Sequence, residues 1–131
     1  MVCLDTSVII DILRGNEVVE SIEKQFDETS ETVTVAAPTV MELIKGARLS
    51  NKPESEKLKV TEFLSSLTTL DLNKDSAMLA GEIDAELKVS GEPIGVQDVM
   101  IAAIAIKNRE ALITKNTKHF ERIKDLKTQT Y

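Results

Sequence analysis

MVCLDTSVIIDILRG, residues 1–15, is the stretch on which the reading of the fold turns. Met1–Leu4 reads as a short buried strand, carried by the apolar run Val2-Cys3-Leu4. Asp5-Thr6-Ser7 stops it with three residue types that favour helix N-caps, because their side-chain oxygens accept from the free amides of a first turn. A short helix then runs to Arg14-Gly15.

The same alternation recurs downstream. A helix is expected over about Val18–Phe26 and a Glu/Thr/Ser-rich loop over Asp27–Thr32. Val33–Ala37 is rich in β-branched residues and reads as a second strand, with Pro38 suited to a helix's first turn. From Thr39 the apolar residues Val40, Leu43, Ile44 and Ala47 follow helix periodicity, until Ser50-Asn51-Lys52-Pro53 breaks it. Glu54–Leu67 reads as a helix, Thr68–Leu72 as a strand, Asp75–Ser90 as a helix ending at Gly91, and Gly91–Gly95 as a loop. Val96–Asn108 is apolar on nearly every side and predicts a buried helix. Ala111–Thr114 is a fourth strand and Leu126–Thr130 a short last one. Short apolar strands alternating with helices predict a parallel sheet covered on both faces, an α/β domain. Ligands in that architecture bind beyond the carboxyl ends of the strands, so the chemistry is sought just after each strand.

At 131 residues, 42% of them hydrophobic, the chain is expected to be one domain whose core needs no cross-link. Its single cysteine, Cys3, has no internal partner and lies in an apolar run, the setting of a buried, reduced thiol in a cytoplasmic protein. Asp5 and Asp11 interrupt the N-terminal apolar stretch, which leaves no membrane span, and the opening lacks the pattern of a signal peptide. The net charge of −6 argues against a protein that coats nucleic acid indiscriminately. The charge is uneven: residues 107–131 hold seven basic side chains against Glu110, Glu121 and Asp125. That asymmetry is compatible with an acidic site beside a basic flank and equally with ordinary solvated surface.

Three acids follow strands or open helices. Asp5 ends strand one and is an N-cap by position. Glu42 lies on the Thr39 helix, turned by about 100° per residue away from the apolar stripe, where it is a surface glutamate when taken singly. Asp98 opens the apolar helix on a face that continues as Ile101, Ala102 and Ala105; there it either complements the positive helix end or needs a partner to offset lost solvation. One histidine and one cysteine leave no catalytic triad and no zinc cluster to build, and Ser7 has no evident base. Oxygen ligands remain, the chemistry of hard divalent ions that activate water and neutralise charge on a phosphodiester.

Four segments together resemble a known family. Leu4–Gly15, Thr39-Val40-Met41-Glu42-Leu43-Ile44-Lys45-Gly46-Ala47, Gly95-Val96-Gln97-Asp98-Val99-Met100-Ile101-Ala102-Ala103 and Leu112-Ile113-Thr114-Lys115-Asn116-Thr117-Lys118-His119-Phe120 resemble, in order, the motifs of PIN-domain ribonucleases of the VapC toxin type. The resemblance spans almost the whole chain and implies a three-layer α/β/α domain over residues 1–131 with a sheet of four to five short parallel strands. It implies a Mg²⁺- or Mn²⁺-dependent ribonuclease acting on single-stranded or looped RNA, a cognate antitoxin that occupies the site, and a homodimer. Asp5, Glu42 and Asp98 are then the metal-binding and catalytic acids. Thr6 supports them through its hydroxyl.

Many PIN domains place a fourth acid where this chain has Asn116 or His119. Asn116 can still offer a carbonyl oxygen, but the missing charge weakens the case for a permanent second metal. It also keeps open a PIN fold that binds RNA or a partner without cutting. A receiver-like signalling domain is the rival from another class, also parallel α/β and acidic. It requires paired acids after strand one, where this chain has Asp5 followed by Thr6, and an acid after a middle strand, where Val33–Ala37 runs into Pro38.

Overall fold

The computed structural model describes residues 1–15, 24 and 32–131. The expected helix at Val18–Phe26 and loop at Asp27–Thr32 lie outside the described residues, apart from Lys24, which is helical, and Thr32. Five parallel strands form one sheet: β1 (Val2–Leu4), β2 (Val33–Ala36), β3 (Thr68–Leu70), β4 (Ala111–Ile113) and β5 (Thr128–Gln129), in the order β3-β2-β1-β4-β5. The helices described are α1 (Thr6–Leu13), α2 (Ala37–Arg48), α3 (Pro53–Ser65), α4 (Lys74–Val89), α5 (Val96–Lys107) and the single turn α6 (Thr117–Phe120).

Alternation along the strands sorts the core into two layers, since successive side chains of a strand leave opposite faces. Val2, Leu4, Val35 and Ile113 turn to one face and pack on Val8 and Ile9 of α1, Leu43 and Ala47 of α2 and Val60 of α3. Cys3, Ala36 and Leu112 turn to the other and meet Ile83 and Leu87 of α4, Ile101 to Ala105 of α5, and Phe120. The fold is three-layer α/β/α. Helix α5 is apolar almost all round because it is sheathed all round: Val99 and every residue from Ile101 to Ala105 are buried. No helix among the described residues is long and apolar enough to cross a membrane.

Sequence expectation and structure differ at a few ends. Strand β3 stops at Leu70 instead of Leu72, and Ala37 opens α2 instead of closing β2. The turn α6 has no counterpart in the sequence reading, because four residues are too few to show a helical period. The strand order excludes the receiver-like alternative, whose sheet runs 2-1-3-4-5.

Cys3 is fully buried, and burial pushes its thiol up to about 12, with a smaller contribution from the Glu110 carboxylate. A thiol held in that form is a poor nucleophile. Native protein at pH 8 is expected to leave a chromogenic disulfide reagent untouched and to react with one equivalent after denaturation. Rapid reaction of the native protein would contradict the burial.

Candidate active site

The strand order reverses between β1 and β4, and the residues just past those two strands meet there. Asp5 follows β1 directly and caps α1, its Oδ1 accepting from the Thr6 amide at 2.8 Å. Its backbone continues the β1–β4 ladder, Asp5 N–H donating to the Ile113 carbonyl at 2.9 Å. Thr114, the first residue beyond β4, donates its hydroxyl to Asp5 Oδ2 at 2.7 Å, and Ser7 Oγ stands 3.4 Å from the same oxygen. Asp5 is 3% exposed, and every donor it receives is uncharged. The N-cap reading of Asp5 therefore holds, one oxygen serving the helix and the other turned to Thr114.

Glu42 arrives from α2, which starts at once after β2 with Pro38 in its first turn. Thr6 Oγ1 donates to Glu42 Oε1 at 3.0 Å and lies 3.2 Å from the hydroxyl of Thr39, itself fully buried. Glu42 is thus half-buried over the carboxyl end of the sheet instead of lying free on the surface. Asp98 stands in the first turn of α5, whose N-cap Gly95 offers no side-chain cap. His119 of α6 approaches it, Nδ1 to Oδ2 at 3.7 Å.

These placements leave an electrostatic signature. Burial holds the Asp98 carboxyl above the usual carboxylate range, the negative charge of Asp5 adds to that, and His119 works against it. Glu42 is raised likewise, first by burial and further by the charges of Asp98 and Asp5, with the Thr6 hydrogen bond opposing. Each of the two responds to Asp5, so three carboxylates from β1, α2 and α5 share one field. Asn116 follows β4, is exposed, and donates its backbone N–H to Thr114 Oγ1 at 3.0 Å.

Among the described residues no three acidic, imidazole or thiol groups stand as a closed ligand cluster. The three acids are linked instead through their charges, Asp5 acting on both Glu42 and Asp98 and Asp98 on Glu42. Such a set suits an ion that keeps part of its water shell: Mg²⁺ is commonly held by one or two carboxylates and retains several waters. The donors are all hard oxygens whose charges repel, which favours a hard divalent cation over zinc. Thr39 and Thr114 were not among the residues singled out from sequence. Thr114 carried the only available signal, a hydroxyl at the carboxyl end of a strand.

The PIN domain family model matches residues 2–126. A relative from Shigella flexneri, the tRNA(fMet)-specific endonuclease VapC, is 33% identical over 128 residues, covering 98% of this chain and 96% of its own length. Among solved structures, VapBC2 from Rickettsia felis bound to a DNA fragment from their promoter superposes with a TM-score of 0.91 at 27% identity, covering 100% of this chain and 99% of that one. A toxin–antitoxin complex from Klebsiella pneumoniae matches with a TM-score of 0.75 at 26% identity, covering 96% and 95%.

Proposed function

We propose that this chain, which belongs to the PIN-domain family, is a divalent-metal-dependent endoribonuclease that acts as the toxin of a toxin–antitoxin pair. The observation that carries the reading is the shared field of Asp5, Glu42 and Asp98 at the carboxyl edge of the sheet, where Glu42 and Asp98 are raised in part by their acidic neighbours. A Mg²⁺ or Mn²⁺ ion held by these three acids supplies an activated water and neutralises charge on the phosphodiester. The residues of the chain then have separate tasks. Asp5, fixed by Thr6 N–H and Thr114, is the rigid arm. Thr6 orients Glu42 through its hydroxyl. Asn116, exposed beside Thr114, offers a neutral oxygen in place of a fourth acid.

A water nucleophile accounts for this side-chain inventory better than attack by the RNA's own 2′-hydroxyl. The latter relies on paired acid–base groups, and the chain has one histidine, already placed against Asp98. The test is incubation with single-stranded RNA and Mn²⁺, with and without EDTA, followed by analysis of product ends. Cleavage that needs the metal and leaves 5′-phosphate and 3′-hydroxyl ends is expected; activity that survives EDTA, or cyclic-phosphate ends, would overturn the mechanism. RNA and metal binding without cleavage is the outcome that favours a non-cutting PIN protein.

The three acids suit a partner that brings cations of its own. A flexible, basic antitoxin segment placing Arg or Lys against the three acids satisfies them without metal. The toxin–antitoxin complex among the structural neighbours supports an antitoxin as the partner. Co-expression with a small, basic-tailed protein encoded next to this one is expected to give a complex silent on RNA. Equal cleavage by the free and bound forms would count against inhibition through the site.

A further inference from the structure

The residues just past β4 do more than contribute Thr114. Lys115, the next residue, turns its ammonium onto Oδ2 of Asp11 in α1, and the Tyr131 hydroxyl donates to that same oxygen at 2.5 Å. Asp11 is 6% exposed, so an unpaired carboxylate there is disfavoured. Lys115, then Tyr131, hold it below the usual carboxylate range. We propose that Asp11, Lys115 and Tyr131 form a positioning clasp that sets the Thr114–Asn116 segment, and through it the Asp5 arm of the proposed metal site.

Connectivity carries the argument. Thr114, Lys115 and Asn116 are consecutive, and the hydroxyl of Thr114 ties the outer two together by accepting the Asn116 amide while donating to Asp5. A three-residue segment so linked moves as a unit. Its inner end is fixed to β5 by the Thr114 amide, which donates to the Gln129 carbonyl at 3.0 Å. Lys115 fixes its middle to α1, the helix that Asp5 itself caps. Tyr131, two residues beyond Gln129, brings the β5 end of the sheet to the same carboxylate. One buried carboxylate thereby gathers α1, the β4 exit and the β5 exit, the three pieces of backbone around Asp5. Among the described residues, no hydrogen bond or ion pair joins a clasp residue to Asp5, Glu42 or Asp98, whose partners are others, so the role of the clasp is to position.

The clasp rests on the metal-site reading, and Mn²⁺ affinity separates the two. The free-ion signal of Mn²⁺ in electron paramagnetic resonance, titrated against metal-free protein, reports the dissociation constant without RNA. Asp11→Asn and Lys115→Met are each expected to weaken Mn²⁺ binding about 10-fold, the lower end of what losing a supporting contact behind a metal ligand costs. The double variant should bind no more weakly than either single one, since both remove one interaction. Lys115→Arg should restore affinity close to wild type, and Tyr131→Phe should fall between. In the metal-free protein, the Asn116 amide should exchange faster in Lys115→Met. Wild-type affinity in Asp11→Asn and Lys115→Met, accompanied only by a lower melting temperature, would reduce the clasp to a structural tie and overturn the proposal while leaving the site reading intact. No Mn²⁺ binding by wild type would overturn both. Should Asp11→Asn fail to fold, Lys115→Met decides the matter alone, because that side chain is 48% exposed and its loss leaves no cavity.

Discussion

Asp5→Asn is expected to lower Mn²⁺-dependent cleavage of single-stranded RNA by at least about 100-fold, because partners that merely support a metal ligand are typically worth about 10- to 100-fold. The amide keeps the shape of the side chain and one oxygen for the Thr6 amide, so the N-cap survives in large part. What it removes is the charge and one acceptor, at a position where Thr114 Oγ1 donates at 2.7 Å. Asp5→Ala loses the cap as well, at about 1 kcal/mol, which a folded domain of this size tolerates. His119→Ala is the matched control. The imidazole is half exposed and stands 3.7 Å from Asp98 Oδ2, beyond a good hydrogen bond, and exposed pairs of that kind contribute little. It should cost no more than a few-fold. Equal losses in the two variants, or an active Asp5→Asn protein, would remove Asp5 from the chemistry.

The second large effect is thermal. A divalent ion that binds only the folded protein stabilises it by about 2.7 kcal/mol at a concentration 100 times its dissociation constant, which for a chain of this length raises the melting temperature by about 10 °C. The sign of the accompanying pH dependence follows from the raised carboxyls. Glu42 and Asp98 hold their protons more tightly folded than unfolded, so the metal-free protein loses stability as pH rises from the ordinary carboxylate range through their folded values. Asp11 is lowered and acts oppositely, its contribution disappearing only as pH falls below its ordinary value. The Mn²⁺-induced shift should therefore be small near pH 4 and grow towards pH 7. Asp98→Asn should melt higher than wild type without metal at pH 7, having shed a repelled charge, and should show almost none of the metal-induced rise. Identical shifts in wild type and Asp98→Asn, followed by differential scanning calorimetry, would contradict a shared three-acid site.

Legibility in the sequence followed the range of the interactions involved. The β1–Asp5–α1 unit is local, and both the strand and the cap could be read from Val2 to Ser7 without knowing what packs on them. The buried helix α5 was legible for a similar reason, its apolar residues leaving no polar face to solvate. Glu42 was harder. Its turn away from the apolar stripe is real, but α2 leaves the sheet edge so abruptly that a residue off the stripe in its second turn meets the start of α1, where Thr6 waits 36 positions away in sequence. Thr114 and Asp5 are 109 positions apart, and Asp11 and Tyr131 are 120 apart. No periodicity reports such pairs; the strand order creates them.

That strand order also governs when the site can exist. β1 is the central strand, and residues 2–4 pair on one side with residues 33–35 and on the other with residues 111–113. During synthesis the chain emerges N-terminus first, so Asp5, Glu42 and Asp98 are all made while one edge of the central strand is still bare. Only after Ile113 and Thr114 leave the ribosome can β4 close that edge and Thr114 reach Asp5. Pairing across so many residues is intrinsically slow. Chains that stop short of Thr114 thus lack both the closed edge of the central strand and the hydroxyl that holds Asp5.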